Sequence, residues 1–312
     1  MKTIRLYLLA VSCMLVLCIC GCQSTDTTGE GQSTEKIVEA KESDWADNTS
    51  DCSDETSGTE STTEASEETE GEEIRNMIYV ALGDSLTKGY GISDAEKCRF
   101  SALTANKLAG TKGSCTERNY GVNGLESGEL LGMIKENEIG MLDYADVITI
   151  DIGANDVLHA SEDMIFSTFA GTVVTADEYN LIETGVARKL ANFRTNLDHI
   201  VAEVRNVNDH AQIILCTIYN PYKDAPLPLL VEGQELTLAG FTDDLVCRLN
   251  ANIKEIAGTQ GCTVADWYTA FELNPNKLVN ATYENGQLTD FDIHPNKDGH
   301  AVMAEVCYQA IK

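Results

Sequence analysis

Four short apolar runs punctuate the chain beyond residue 74: Met77–Leu82 (MIYVAL), Val147–Ile152 (VITIDI), Ile213–Ile218 (IILCTI) and Thr263–Ala265 (TVA). They are rich in β-branched residues and almost continuous in apolar character, the pattern of parallel strands covered on both faces. Between them the period changes. Leu190, Phe193, Leu197, Ile200, Val201, Val204 and Val207 recur at steps of three and four, which predicts one apolar stripe on a long helix. Shorter helical patterns fall around Phe100–Leu108, Glu129–Ile139, Phe241–Ile256 and Gly299–Ile311. Strands alternating with helices predict an α/β domain over residues 74–312, with enough crossover helices to cover both sheet faces. The interval Leu158–Gly185 and the proline-bearing insertion Pro221–Leu238 are expected to shape a pocket rim rather than a second domain.

The first 73 residues follow other rules. Lys2 and Arg5 precede an uncharged, mostly apolar run from Leu6 to Cys20. That run is shorter than the roughly 20 residues a spanning helix needs, and it ends in Gly21 and Cys22 rather than a basic stop, so it reads as an export signal. The ending Ile19-Cys20-Gly21-Cys22 resembles the lipobox of bacterial lipoproteins. The resemblance implies cleavage after residue 21, a lipidated Cys22, and a protein held at the extracellular face of a bacterial membrane; an ordinary secretory signal is the alternative. Residues 22–73 are dominated by Ser, Thr, Glu, Asp and Gly, with too few apolar side chains to offset the entropy of ordering, which predicts a flexible acidic linker.

The formal charge of −28 divides accordingly: +2 in the signal, −15 in the linker and −15 over residues 74–312. A field of that sign disfavours nucleic acid and other polyanions as partners.

The first predicted strand runs into Gly83-Asp84-Ser85-Leu86, which places Ser85 just past a carboxyl edge, where open α/β sheets bind ligands. Alone, the turn could equally be a helix cap with permissive glycines. Three further blocks change its weight: Asn119-Tyr120-Gly121-Val122-Asn123-Gly124, Gly153-Ala154-Asn155-Asp156 and Asp292-Ile293-His294-Pro295. In this order the four blocks resemble the GDSL or SGNH family of serine esterases, and they span most of the predicted domain. The resemblance implies a three-layer α/β/α sandwich with a mainly parallel central sheet, flavodoxin-like in arrangement, acting on esters of lipids or carbohydrates. Carried over by position, Ser85 is implied as nucleophile and His294 as base. The backbone N–H groups of Ser85 and Gly124, with the Asn155 amide, are implied as oxyanion donors. The family places an Asp three residues before the histidine, but Phe291 stands there, so Asp292 is the expected orienting acid with Asp290 as the alternative.

The chain has five histidines, at 159, 199, 210, 294 and 300; His199 and His210 read as surface or core-edge residues, and His159 as a candidate at the site entrance. Neither metal-ligand spacing nor a nucleotide-binding glycine loop is present, so no metal or cofactor is expected. Export permits disulfides; Cys98–Cys115 and Cys247–Cys262 are the favoured pairs among 15 connectivities, with buried free thiols the alternative. The substrate expectation is a short-chain ester or an O-acetyl group on carbohydrate, with Tyr219, Tyr222, Trp267 and Tyr268 as a sugar-stacking surface or simply core-edge aromatics. The alternatives are an acyl-lipid hydrolase and a catalytically inactive glycan-binding lipoprotein.

Overall fold

A computed structural model describes residues 76–225, 227–284, 287–290 and 292–311. The expected signal (1–21), the linker (22–73) and the lipid-bearing Cys22 lie outside the described residues.

A five-stranded parallel sheet forms the centre, in the order β2-β1-β3-β4-β7. Its strands are β1 (Asn76–Gly83), β2 (Ser114–Gly121), β3 (Val147–Asp151), β4 (Gln212–Cys216) and β7 (Thr263–Ala265). Four of the five coincide with the apolar runs. β3 is buried at every residue, and β1 from Tyr79 onward, as strands covered on both faces must be. The strand that periodicity does not mark is β2 (SCTERNYG). It occupies the sheet edge, where most of its residues are only partly buried and polar side chains are tolerated.

Helices cover both faces. α3 (Phe100–Lys112) packs against α9 (Lys297–Ala310), whereas α4 (Ser127–Lys135), α5 (Ala154–Ala170) and α7 (Leu238–Gln260) all pack against α6 (Ala176–Val207). The expected α/β/α sandwich is therefore the observed fold. α6 is the predicted long helix: Val186, Leu190, Phe193, Leu197, Ile200, Val201 and Val204 are its buried stripe. Its N-terminus is fixed by a reciprocal Thr175–Glu178 capping box. Short helices α1 (Ser85–Lys88), α2 (Ala95–Cys98) and α8 (Trp267–Leu273) occupy connections, and two antiparallel hairpins stand apart from the main sheet: β5 (Pro228–Val231) with β6 (Gln234–Thr237), and β8 (Thr282–Glu284) with β9 (Gln287–Asp290).

The expected disulfides are absent: Cys98, Cys115, Cys247 and Cys262 are all free thiols. Cys247 sits in α7 and Cys262 lies just beyond the end of that helix at Gln260, so roughly 20 Å of helix separates them, against the roughly 7 Å limit between Cα atoms of a bridged pair. The corner between α2 and α3 is joined to β2 through Glu117, which takes Arg99 and Ser101. Trp267 is wholly buried with its Nε1 donating to the Met303 carbonyl, and Tyr219 and Tyr222 are also buried. Tyr268 is half-buried with its hydroxyl held by Asp243, and of these four aromatics Tyr219 and Tyr222, but not Trp267 or Tyr268, line a cavity.

Two glycines test how tightly the functional end of the sheet is packed. A Cβ on Gly121 would collide with the backbone of Lys88 and Thr87, whereas one on Gly110, exposed in α3, meets nothing. Gly121→Ala is expected to lower unfolding free energy by about 1–3 kcal/mol or more through overpacking. Gly110→Ala is expected to raise it by about 0.5–1 kcal/mol. Denaturant midpoints of the two variants check this; equal effects would contradict the packing described.

Candidate active site

The strand order reverses direction around β1, whose successors β2 and β3 lie on opposite sides of it. This is a topological switch point, where α/β sheets open a crevice at their carboxyl ends. Pairing brings Gly83 level with both Gly121 and Asp151, so the turns after β1, β2 and β3 emerge side by side. Ser85, Gly124 and Asn155 stand on those three turns and line one common cavity.

Each is held by local chemistry. Asp84 caps α1 by accepting the Leu86 N–H at 2.9 Å, and Ser85 is the first helical residue, whose N–H has no intrahelical acceptor. After β2, Leu125 N–H bonds back to the Val122 carbonyl at 3.2 Å across a turn whose third residue, Gly124, has φ +77°; a type II turn demands glycine there. Gly153, at φ +113°, precedes α5 and places Asn155 in its first turn, with the Asn155 Nδ2 donating to the Leu125 carbonyl at 3.0 Å and to Asp84 Oδ2 at 3.3 Å.

His294 arrives from the other end of the chain, on the loop between β9 and α9. Its Nε2 lies 2.9 Å from Ser85 Oγ and its Nδ1 lies 2.6 Å from Asp292 Oδ1. Of the two candidate acids, Asp292 is the one beside the imidazole; Asp290 instead accepts the Asp292 backbone N–H at 3.0 Å and so shapes the loop. Three further residues hold the site, and of these sequence reasoning marks Tyr219 alone, as a stacking or core-edge aromatic. Asn280 donates to Asp292 Oδ2 at 2.8 Å, the buried Tyr219 hydroxyl donates to the Ile293 carbonyl at 2.8 Å, and the Tyr90 ring packs 4.6 Å from that of His294. Asn280 carried no sequence signal, being a lone polar residue in an irregular stretch.

The carboxyls around the site are driven in opposite directions. Burial would raise Asp292, but hydrogen bonds from His294 and Asn280 outweigh it and leave the group below its ordinary value. Burial pushes Asp84 up to about 6, against the pull of the Leu86 N–H and His294. Asp151, wholly buried at the end of β3, is pushed well up by burial and by Asp84. Of these three carboxyls Asp292 alone is held below its ordinary value, and it is the one bonded to the histidine.

The model of the GDSL-like lipase/acylhydrolase family matches residues 81–302, which contain every block described above. The chain belongs to that family. Membership makes it a carboxylic ester hydrolase. The similarity to individual proteins is distant. The chain is 26% identical over 253 residues to the uncharacterized protein YpmR of Bacillus subtilis (strain 168), covering 76% of this chain and 82% of that protein. It is 25% identical over 229 residues to the spore germination lipase LipC of Bacillus licheniformis, covering 73% and 92%. Among solved structures, the lipase Lip_vut3 from a goat rumen metagenome superposes with a TM-score of 0.57 at 22% identity, covering 75% of this chain and 97% of that one, a likeness of fold.

The remaining histidines of this family member serve other ends. His199 and His210 are exposed, and His159 pairs with Glu126 at 2.8 Å instead of lining the cavity. His300 is buried on α9, where its Nδ1 accepts the Phe100 N–H at 3.2 Å. Burial, with the nearby His294, pushes its imidazole down from 6.5 to about 4. Between those values the unfolded chain binds a proton that the folded chain does not, so the stability is complete above the unfolded value and is lost as pH falls through the window. Unfolding free energies at neutral pH and near pH 4.5 should therefore fall further in the wild type than in His300→Asn, by on the order of 2–3 kcal/mol. Equal losses in the two proteins would contradict this.

Proposed function

We propose that Ser85, His294 and Asp292 form the catalytic triad of this esterase and that its ester substrate carries an extended apolar acyl chain. The observation that supports the triad is the continuous chain of contacts from Asp292 through His294 to Ser85, at 2.6 and 2.9 Å. Asp292 holds Nδ1–H, leaving Nε2 to take the Ser85 hydroxyl proton as Oγ adds to the ester carbonyl. The carbonyl π electrons move onto oxygen. That oxyanion meets the N–H groups of Ser85 and Gly124 and the Asn155 amide. Both Asn155 amide hydrogens are engaged in the resting site, and the longer contact, 3.3 Å to Asp84, is the one that the oxyanion replaces. Collapse breaks the bond to the leaving oxygen, which takes the proton from His294. Water then repeats the sequence on the acyl-enzyme and frees Ser85.

The acyl part of the proposal rests on the cavity. It measures about 550 Å³ and runs from Ser85 between α5 and α7, walled by Val157, Leu158, Ile165 and Phe166 on one side and Leu245, Val246 and Leu249 on the other. An acetyl group would leave most of those apolar walls without contacts, whereas a longer chain would fill them. This favours the acyl-lipid alternative over the O-acetyl expectation; of the aromatics expected to stack on sugar, Trp267 and Tyr268 lie outside the cavity lining, and Tyr219 and Tyr222 join its largely apolar wall. Cys22, in the lipobox-like Gly21-Cys22, is proposed to carry the lipid that keeps the domain at the outer face of a bacterial membrane, close to such substrates.

Each methylene buried in the cavity adds about 0.8 kcal/mol, so kcat/KM for p-nitrophenyl esters should rise about fourfold per carbon from acetyl until the cavity is full. Ser85→Ala should abolish turnover of every ester and labelling by a fluorophosphonate. A preference for acetyl over octanoyl ester would overturn the acyl assignment, and an active Ser85→Ala would overturn the triad. For the anchor, detergent-phase partitioning of the protein expressed in a bacterium should be lost in Cys22→Ala; partitioning that survives the substitution would dismiss the lipid.

A further inference from the structure

Two donors of the proposed oxyanion site, the Gly124 N–H and the Asn155 amide, stand on separate turns and act together only if those turns keep a fixed spacing. Asn155 and Gly124 have Asp156 and Ser127 close beside them in sequence, and these two side chains are joined. Asp156 Oδ2 accepts the Ser127 backbone N–H at 2.9 Å and Asp156 Oδ1 accepts the Ser127 hydroxyl at 2.7 Å. Ser127 Oγ in turn accepts from Asn196 Nδ2 of α6 at 2.9 Å. Both residues are buried, Ser127 at 0% exposure and Asp156 at 2%, where a carboxylate persists only for strong hydrogen bonds. Asp156 does not cap its own helix: the N-cap is Gly153, with no side-chain cap bond. Its whole acceptor capacity is turned across to the neighbouring turn.

A second carboxylate grips the same segment. Glu126 Oε1 lies 2.8 Å from His159 Nδ1 of α5 and Oε2 takes Lys189 Nζ of α6 at 2.7 Å. The turn carrying Gly124 is therefore tied to α5 by Asn155, Asp156 and His159 and to α6 by Lys189 and Asn196, just beyond the donor it presents.

We propose that Asp156 is a positioning residue for ester hydrolysis: by gripping the Ser127 N–H and hydroxyl together it fixes the spacing between the Gly124 N–H and the Asn155 amide. It touches neither substrate nor Ser85. The proposal deepens the reading of Ser85, Gly124 and Asn155 as the reacting site and rests on it. In Asp156→Asn one of the two acceptor oxygens becomes an amide donor, so the grip is halved while the side-chain volume is kept. An error of about 1 Å in donor placement costs on the order of 100-fold in rate, so a loosened grip should lower kcat by about 10–100-fold with KM little changed.

The test is a double-mutant cycle on the full chain with Asn155→Ala and Asp156→Asn, read as kcat and as the rate of inactivation by an alkyl fluorophosphonate. The phosphonyl oxygen occupies the place of the oxyanion, so both readouts should fall in parallel. The pH midpoint of kcat/KM should not move, because Asp156 touches neither Ser85 nor the imidazole. In the Asn155→Ala background Asp156→Asn should cost markedly less than in the wild type, because one of the two donors it aligns is gone. Full additivity, or an unchanged kcat in folded Asp156→Asn, overturns the proposal and leaves a stability role alone. If Asp156→Asn does not fold, Ser127→Ala takes its place in the cycle, removing the hydroxyl bond but keeping the backbone one, with the same outcomes on either side. Failure of the underlying reading shows separately, as esterase activity surviving in Ser85→Ala whatever the cycle gives.

Discussion

Gly83, Gly121 and Asp151 stand level at one edge of the sheet, and the chain can be folded there only because two of the three carry no side chain. A Cβ on Gly83 would collide with the Asp151 carbonyl and the Thr87 hydroxyl, and one on Gly121 with the backbone of α1. Removing those atoms lets the turns after three strands converge, so that Ser85, Gly124 and Asn155, separated by up to 70 positions in sequence, open on one cavity. The parallel register supplies the alignment, the glycines supply the closeness, and the hydrophobic sheet beneath holds both rigid.

That convergence has an electrostatic cost. Asp84, Asp151 and Asp156 are all buried at this edge, and burial raises each of them. Each is met by local hydrogen-bond donors: the Leu86 N–H for Asp84, the Thr87 hydroxyl for Asp151 and the two donors of Ser127 for Asp156. The carboxylates thus serve as internal staples between turns. Asp292 differs because two donors, His294 and Asn280, grip its two oxygens and keep it ionised despite partial burial. Tyr219, itself buried and stacked on Phe271, holds the Ile293 carbonyl and so carries the sheet's rigidity out to the histidine loop.

Sequence and structure agree where one residue type performs one task. Continuous β-branched runs have few uses besides a buried strand, and the four-block pattern marks Ser85, Asn155 and His294, which the fold gathers around one cavity. Agreement fails where the outcome depends on three-dimensional spacing. The polar β2 carries no apolar period because it lies at an edge. Cys247 and Cys262 are close in sequence but separated by the rise of a helix. The expected Asp292 does lie beside the imidazole, but it is the bend of the loop, shaped by Asp290, that puts it there. The Asp156–Ser127 grip joins residues 29 positions apart through ordinary polar side chains, either of which reads equally well as a helix cap. The 550 Å³ cavity is likewise lined jointly by side chains of α5 and α7 and is invisible in either helix alone.

The central claim is that one cavity presents the nucleophile, the oxyanion donors and the acyl chain in a single arrangement. A crystal structure of the protein inactivated by an octyl fluorophosphonate tests it most directly. The expected adduct has phosphorus bonded to Ser85 Oγ and the phosphonyl oxygen about 2.7–3.1 Å from the Ser85 and Gly124 nitrogens and Asn155 Nδ2. Its octyl chain lies between α5 and α7. An adduct on Ser85 with its phosphonyl oxygen turned away from Asn155, or with its alkyl chain in solvent, would contradict it.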